Sequence, residues 1–205
     1  MKSLRNVLCL GVLASGTLLL PQVATAKSQL PGDPSELITD KMIQGVREWL
    51  SNPVVALSIT SQNLLRKDMT QDAIDAADKQ WRAEREADDQ PLVAAIVTNP
   101  LSGYLTQVQA QSGGLFAEIF VMDAVGLNVG QSSITSDFWQ GDEAKFQKTF
   151  PNGPNAVFID EAEYNEDSDT WRSQLSMTMS DEDRQPIGAV TIEINLTELA
   201  RRSSQ

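Results

Sequence analysis

Residues 170–196, TWRSQLSMTMSDEDRQPIGAVTIEINL, carry two runs of strand character around one tight polar turn. Trp171, Leu175, Met177 and Met179 fall on one side of an alternating register, and Arg172, Gln174, Ser176 and Thr178 fall on the other. That period of two belongs to an extended chain. Asp181 to Gln185 supplies turn chemistry, and Pro186 to Leu196 resumes with Ile187, Val190, Ile192, Ile194 and Leu196 as apolar positions. The two runs predict a hairpin with one apolar face, while the polar face of its first strand meets water or a polar pocket.

Upstream of the hairpin the same reading continues. Asn165 to Asp169 is an acidic turn, and Ala156 to Tyr164 is a strand before it. Leu115 to Asp123, rich in Phe, Ile and Val, precedes the turn Asp123-Ala124-Val125-Gly126 and a further strand, Leu127 to Ser133. The stretch from Ile134 to Pro154 is a long excursion between the second and third strands. Five antiparallel strands are therefore predicted, hairpin-linked at 3-4 and 4-5.

Before Gly113 the period is helical. Asp33-Pro34-Ser35-Glu36 joins an N-cap, a proline suited to the first helical position and a capping-box glutamate. Leu37, Ile38, Val46, Trp49 and Leu50 mark its apolar stripe, Pro53 kinks or restarts it, and Val54 to Lys67 forms a second run. Thr70 is the expected cap of a helix through Ile74, Ala77 and Trp81, which ends at Asp88-Asp89-Gln90-Pro91. Pro91 to Gln111 is helical again, interrupted at Asn99-Pro100, and Thr197 is the expected cap of a short terminal helix. The class is α+β, with helices layered on one face of a sheet. Residues 27–112 form the helical part, 113–196 the sheet, and 197–205 the terminal helix and tail.

Lys2 and Arg5 precede an apolar run, Val7 to Leu20, and Ala24-Thr25-Ala26 supplies a small-residue cleavage pattern. A cleavable signal peptide over residues 1–26 is predicted, leaving one domain over 27–205. The apolar run is shorter than the roughly 20 residues of a spanning helix. The expectation is a periplasmic or secreted protein with no membrane insertion after cleavage. Cleavage also removes Cys9, the only cysteine, and moves the net charge from −12 to −14. Such an acidic chain is a poor partner for nucleic acid or an anionic membrane surface.

The chain has no histidine. Without His or a mature Cys it cannot build a Ser-His-Asp triad, a Cys-His pair, a His-based zinc site or a haem site with those ligands. No Gly-rich phosphate loop or G-x-S-x-G turn is present. A protein that is not an enzyme and carries no cofactor is predicted. The acidic run Asp160 to Asp169 lacks the glycine and terminal glutamate of an EF-hand loop and reads as a solvated hairpin tip, so no metal is expected. Lys145 and Lys148, flanking Phe146, read as a helix face.

Three blocks carry a family resemblance: FAEIFVMDAVGLNVGQS (116–132), TSDFWQGDE (135–143), and the run from VFID (157–160) to DRQPIGAVTIEIN (183–195). With the helical lead, they resemble the extracellular PDC or Cache sensor family over Asp33 to Leu199. The resemblance implies a long N-terminal helix or helices packed on a five-stranded antiparallel PAS-like (Cache) sheet. It also implies a small-molecule pocket between the central strands and the connection from strand 2 to strand 3. Candidate ligand-binding residues on that basis are Asp137, Phe138, Trp139, Gln140, Asp142 and Glu143 in the connection, with Tyr164, Arg172 and Gln174 on the sheet.

The aromatics would dry the pocket, the carboxylates would meet an amine or cation, and the two amides would fix orientation. The implied protein is a stand-alone module that captures a small polar molecule, amine- or amino-acid-like, and presents it to a membrane sensor protein. This chain departs from the amino-acid-binding double Cache receptors, whose arginine and tyrosine pattern it does not show in this connection. The residues also leave simpler roles open. Phe138 and Trp139 serve equally as plugs at the sheet edge, Asp142 and Glu143 as dipole partners of a short helix ending at Phe150, and Asp137 as a turn residue. A further alternative is a filled pocket in a homodimer whose interface uses Trp49 and Trp81.

Overall fold

The computed structural model describes residues 29–204. The predicted signal peptide over residues 1–26, Cys9 included, lies outside the described residues. The helical lead divides wherever a side chain can accept the first amides of a new helix. Asp33 caps α1 (Pro34–Leu37), and Thr39 caps α2 (Asp40–Leu50). Asn52 accepts from the Val54 amide to open α3 (Pro53–Arg66), and Thr70 opens α4 (Gln71–Arg85). The first helix is thus shorter than its apolar stripe suggests, because Thr39 starts a fresh one. α5 (Pro91–Val97) and α6 (Pro100–Gln111) follow, with Asn99 as the cap between them. The buried Glu84 of α4 accepts from the Leu92 and Val93 amides, at 2.6 and 3.0 Å, and so caps α5 from a neighbouring helix.

The sheet comprises β1 (Phe116–Met122), β2 (Asn128–Gln131), β3 (Val157–Ile159), β4 (Glu163–Asn165), β5 (Thr170–Ser180) and β6 (Pro186–Asn195). Its order is β2-β1-β6-β5-β3, with β4 also on β5, and every pairing is antiparallel. Six strands replace the expected five because the predicted strand Ala156 to Tyr164 is broken at Asp160 to Ala162. There the Ser173 hydroxyl donates to the Asp160 carbonyl at 2.7 Å, and both halves remain on β5. A single helical turn, α7 (Ala144–Gln147), lies in the excursion, and α8 (Leu196–Ser203) closes the chain. Its cap is Asn195, not the predicted Thr197, whose hydroxyl instead accepts from the Trp171 amide at 3.0 Å.

Side-chain alternation gives the sheet two different faces. Ile119, Val121, Leu175, Met177, Val190, Ile192 and Ile194 are buried against Val46, Leu50, Val55, Ile59, Leu101 and Leu105 of the helical layer. On the opposite face Phe120, Met122 and Ala189 lie under Phe146 and Phe150 of the excursion. A separate small core joins α4 and α5 to the excursion through Trp81, Val93, Ile96, Leu127 and Phe138. Trp81 is fully buried there, and Trp49 packs on Phe116 with 6.2 Å between ring centroids. Trp81 is therefore a core residue and not part of an exposed interface, while Trp49 is half-buried.

At Gly188 a Cβ would stand 2.1 Å from the Met122 carbonyl oxygen, so β1 and β6 meet where only glycine fits. The buried Asp123 carboxylate accepts from the Val125 and Leu127 amides, both at 3.0 Å, and pairs with Arg66 at 2.7 Å. Asp123→Ala strands a largely buried guanidinium and two amides, so it is expected to lower the unfolding free energy by about 3–5 kcal/mol. Urea denaturation would register this as a lower midpoint at unchanged slope.

Candidate functional site

The excursion is fastened to α4 and to the edge of the sheet by its own backbone. The Phe138 and Trp139 amides donate to the Asp78 carboxylate at 2.8 and 3.0 Å. The Asn128 amide donates to the Phe138 carbonyl at 3.0 Å, and the Gln140 amide to the Gly126 carbonyl at 2.8 Å. Residues 138–140 therefore run beside the β2 edge. Phe138 is buried and stacks on Trp81, with centroids 5.1 Å apart and planes at 13°. Trp139 donates its indole N–H to the Val125 carbonyl at 2.8 Å, tucked against Gly126 and Gly141. Gly126 has φ of +84°, and a Cβ there would lie 2.6 Å from the Gly141 Cα.

Of the nine predicted site residues, the structure brings three together around one hollow. Glu143, Arg172 and Gln174 line a cavity of about 230 Å³ between the start of α7 and strands β4, β5 and β6. Lys145, Asp160, Glu161, Glu163, Ser173 and Glu193 complete the lining with Ala144. Arg172 pairs with Glu193 at 2.8 Å, and Lys145 pairs with Glu143 at 2.8 Å. Gln140 is buried beside this hollow and accepts from Lys145 at 3.2 Å, while donating to the Asp137 carbonyl at 3.0 Å.

The other five lie elsewhere. Asp137 pairs with Arg82 at 2.8 Å, and with Trp139, Asp142 and Glu143 it borders an open depression beside α4. Phe138 belongs to the small core. Tyr164 stands opposite Trp171 on the helix side of β5, its hydroxyl donating to Asp169 at the hairpin tip. Strand alternation therefore puts Tyr164 on the face away from Arg172.

Sequence reasoning passed over Glu118 and Glu193, and it read Lys145 as a helix face although Lys145 lines the hollow. A lone carboxylate inside an apolar strand, as in Ile192-Glu193-Ile194, was the available signal. Register then decides its meaning, because Gln174 stands directly opposite Glu193 across β5 and β6, and Glu118 stands opposite Glu193 across β1 and β6. Two carboxylates thus face each other on adjacent strands beside the hollow. Burial, reinforced by the Glu193 charge, pushes the Glu118 carboxyl up to about 7, with Lys145 and Arg172 opposing that rise. Among the described residues no group of three or more His, Cys, Asp or Glu is placed to hold a metal ion.

The architecture is an α+β arrangement with helices on one face of an antiparallel sheet. No family model matches the chain, and no curated protein matches it. Among solved structures it is similar to the ligand-binding domain of the Campylobacter jejuni chemoreceptor Tlp3 in complex with 4-methylisoleucine. That match has 15% identity, covers 74% of this chain and 64% of that one, and has a TM-score of 0.37. It is also similar to the ligand-binding domain of the Pseudomonas aeruginosa PAO1 amino acid chemoreceptor PctC in complex with GABA. There the identity is 15%, the coverage 70% and 59%, and the TM-score 0.39. The sensor domain of E. coli DcuS matches at 18% identity, covering 64% of this chain and 97% of that one, with a TM-score of 0.38. The chain spans less than two thirds of the length of the Tlp3 and PctC domains. No helix among the described residues is long and apolar enough to cross a membrane.

The half-buried Glu118 carboxyl keeps its proton up to about pH 7, whereas the unfolded chain releases it near the ordinary value of 4.5. Between those values the unfolded state holds fewer protons, so the Glu118 contribution makes stability fall as pH rises through the window. Glu118→Gln is expected to remove that part of the slope. The variant should be more stable than the parent by about 2–3 kcal/mol at pH 8 and nearly equal to it at pH 4.5, as measured by urea denaturation.

Proposed function

We propose that this protein is a small-molecule-binding sensor module, exported through residues 1–26 to the periplasm or beyond the cell. The observation that carries this reading is the hollow between the excursion and the sheet, lined by two ion pairs and an amide, with Glu118 close behind. Glu143, Arg172 and Gln174 are the ligand contacts inferred from the predicted set, joined by Lys145 and Glu193. Gln140 is a positioning residue that acts through Lys145. Asp137, Phe138 and Trp139 fasten the excursion that roofs the hollow, and Asp142 and Tyr164 have no part in the site.

Five carboxylates line the hollow against two bases, Lys145 and Arg172. That imbalance favours a ligand with a cationic end, so an amine- or amino-acid-like molecule fits best. A carboxylate on the same ligand would compete with Glu193 for the Arg172 fork, and Gln174 would fix its orientation. Binding, and not catalysis, is the inferred activity, since both bases are already held by carboxylates. Differential affinity for a state with α7 drawn closer to β5 is the means of signalling, with a membrane sensor protein as the recipient.

A thermal-melting screen of amines, amino acids and small carboxylates tests this. One ligand class should give a saturable rise worth about 2.7 kcal/mol at a hundredfold excess over Kd. Arg172→Ala and Gln174→Leu should abolish the rise while the ligand-free proteins still melt cooperatively. A screen with no shift in any class overturns the proposal.

A further inference from the structure

A second cavity, of about 520 Å³, lies where α2 hands over to α3 beside the end of β5, and it shares no lining residue with the hollow. Much of its wall is apolar. Leu50, Pro53, Ala56 and Leu57 come from the helices, and Met177 and Met179 from β5. The volume suits a small molecule, and the two methionines make a wall that adapts to a guest. Arg47 lines it from α2, and Asp181 and Glu182 line it from the turn between β5 and β6. That turn is held in place. The Asp181 carboxylate accepts from the Gln185 amide at 2.7 Å, and Arg184 donates to the Asn155 side chain at 3.3 Å.

Every other arginine among the described residues bonds a carboxylate or a carbonyl oxygen. Arg47 is half-buried, and its guanidinium has no hydrogen bond or ion pair among the described residues. Helical spacing explains why, since Ile43, Gln44, Leu50 and Ser51 occupy the positions three and four away and none of them is acidic. Asp181 and Glu182 form no ion pair among those residues either. The cavity thus holds charge of both signs without internal compensation.

The edge of the sheet adds backbone to this site. β3 pairs with β5 over Leu175 to Met177, and the Thr178 amide donates to the Ala156 carbonyl at 3.1 Å as the last bond on that side. β5 continues to Ser180, so its outer edge is open at Met179 and Ser180 among the described residues. An extended peptide can bond to such an edge. We propose that the cavity binds a peptide of two or three apolar residues with free ends, its carboxylate on Arg47 and its ammonium at Asp181 and Glu182. A plain carboxylate would be repelled by a chain of net charge −12, and a plain amine would leave Arg47 covered and unpaired.

Amide-resolved NMR titration with trileucine tests the site. Saturable shifts should appear at Leu50, Ser51 and Ala56 and across the Asp181–Gln185 turn, with a Kd below about 1 mM. Trileucine amide, which lacks the carboxylate, and N-acetyl-trileucine, which lacks the ammonium, should each bind about 10-fold more weakly to the parent protein. Arg47→Ala should weaken trileucine by a similar factor and leave the affinity of the amide unchanged, since both changes remove one contact. Leu57 is exposed, so Leu57→Ser leaves the core intact and should weaken all three peptides alike. Absence of a saturable shift overturns the proposal, and so do shifts centred on Glu143 and Gln174 of the hollow. Equal binding of trileucine and its amide to the parent also overturns it, as does an Arg47→Ala protein that still prefers the free acid.

Discussion

The ion pair between Asp123 and Arg66 is the point at which the three parts of this molecule are held in register. Asp123 closes the turn from β1 to β2 by accepting from two amides of that turn. Arg66, at the end of α3, brings the helical layer onto the same carboxylate and also donates to the Asn128 carbonyl at 3.2 Å. Its guanidinium lies 5.3 Å from the centre of the Phe138 ring, and so it reaches the excursion too. A buried ion pair adds little net stability over an apolar alternative, but it is intolerant of losing one member. Its value here is positional, because sheet, helix and excursion cannot slide independently while both charges need each other.

That registration determines what the excursion can do. Its first part is pinned by Asp78, Trp81 and the β2 edge, which leaves Phe138 and Trp139 committed to packing. Its second part, from Glu143 through α7, leans over the polar face of β5 and β6. The hollow exists because Phe146 and Phe150 prop this segment on Phe120 and Met122. One end of the sheet face is thereby covered by aromatics and the other is lined by charges.

The fold was largely legible in the residues. Alternation in 170–196 gave the central hairpin, and capping chemistry at Asp33, Thr70 and Asn99-Pro100 located helix starts. The break in the third strand was not legible, since it depends on Ser173 of another strand reaching the Asp160 carbonyl. Thr197 looked like a helix cap because its residue type suits the role, but it met the Trp171 amide instead. The site was legible only in part for a similar reason. Local composition in 135–143 pointed to the excursion, yet which side chains enter the hollow depends on strand register. Glu118 and Glu193 are 75 positions apart and become neighbours only when β1 pairs with β6. Tyr164 failed to reach the hollow by a single step of alternation.

Glu84 shows how one side chain can merge two helices into one thermodynamic object. α5 is only seven residues long, and its N-cap residue Gln90 makes no side-chain capping bond. A helix that short has no appreciable stability in water by itself. Its first amides are satisfied by a carboxylate from α4, which is held in turn by Gln80 at 2.7 Å. α5 therefore has no independent existence before α4 has docked, and fraying of α4 near Glu84 releases α5 with it. The pair opens and closes as one foldon, with amide protection shared across the loop between them.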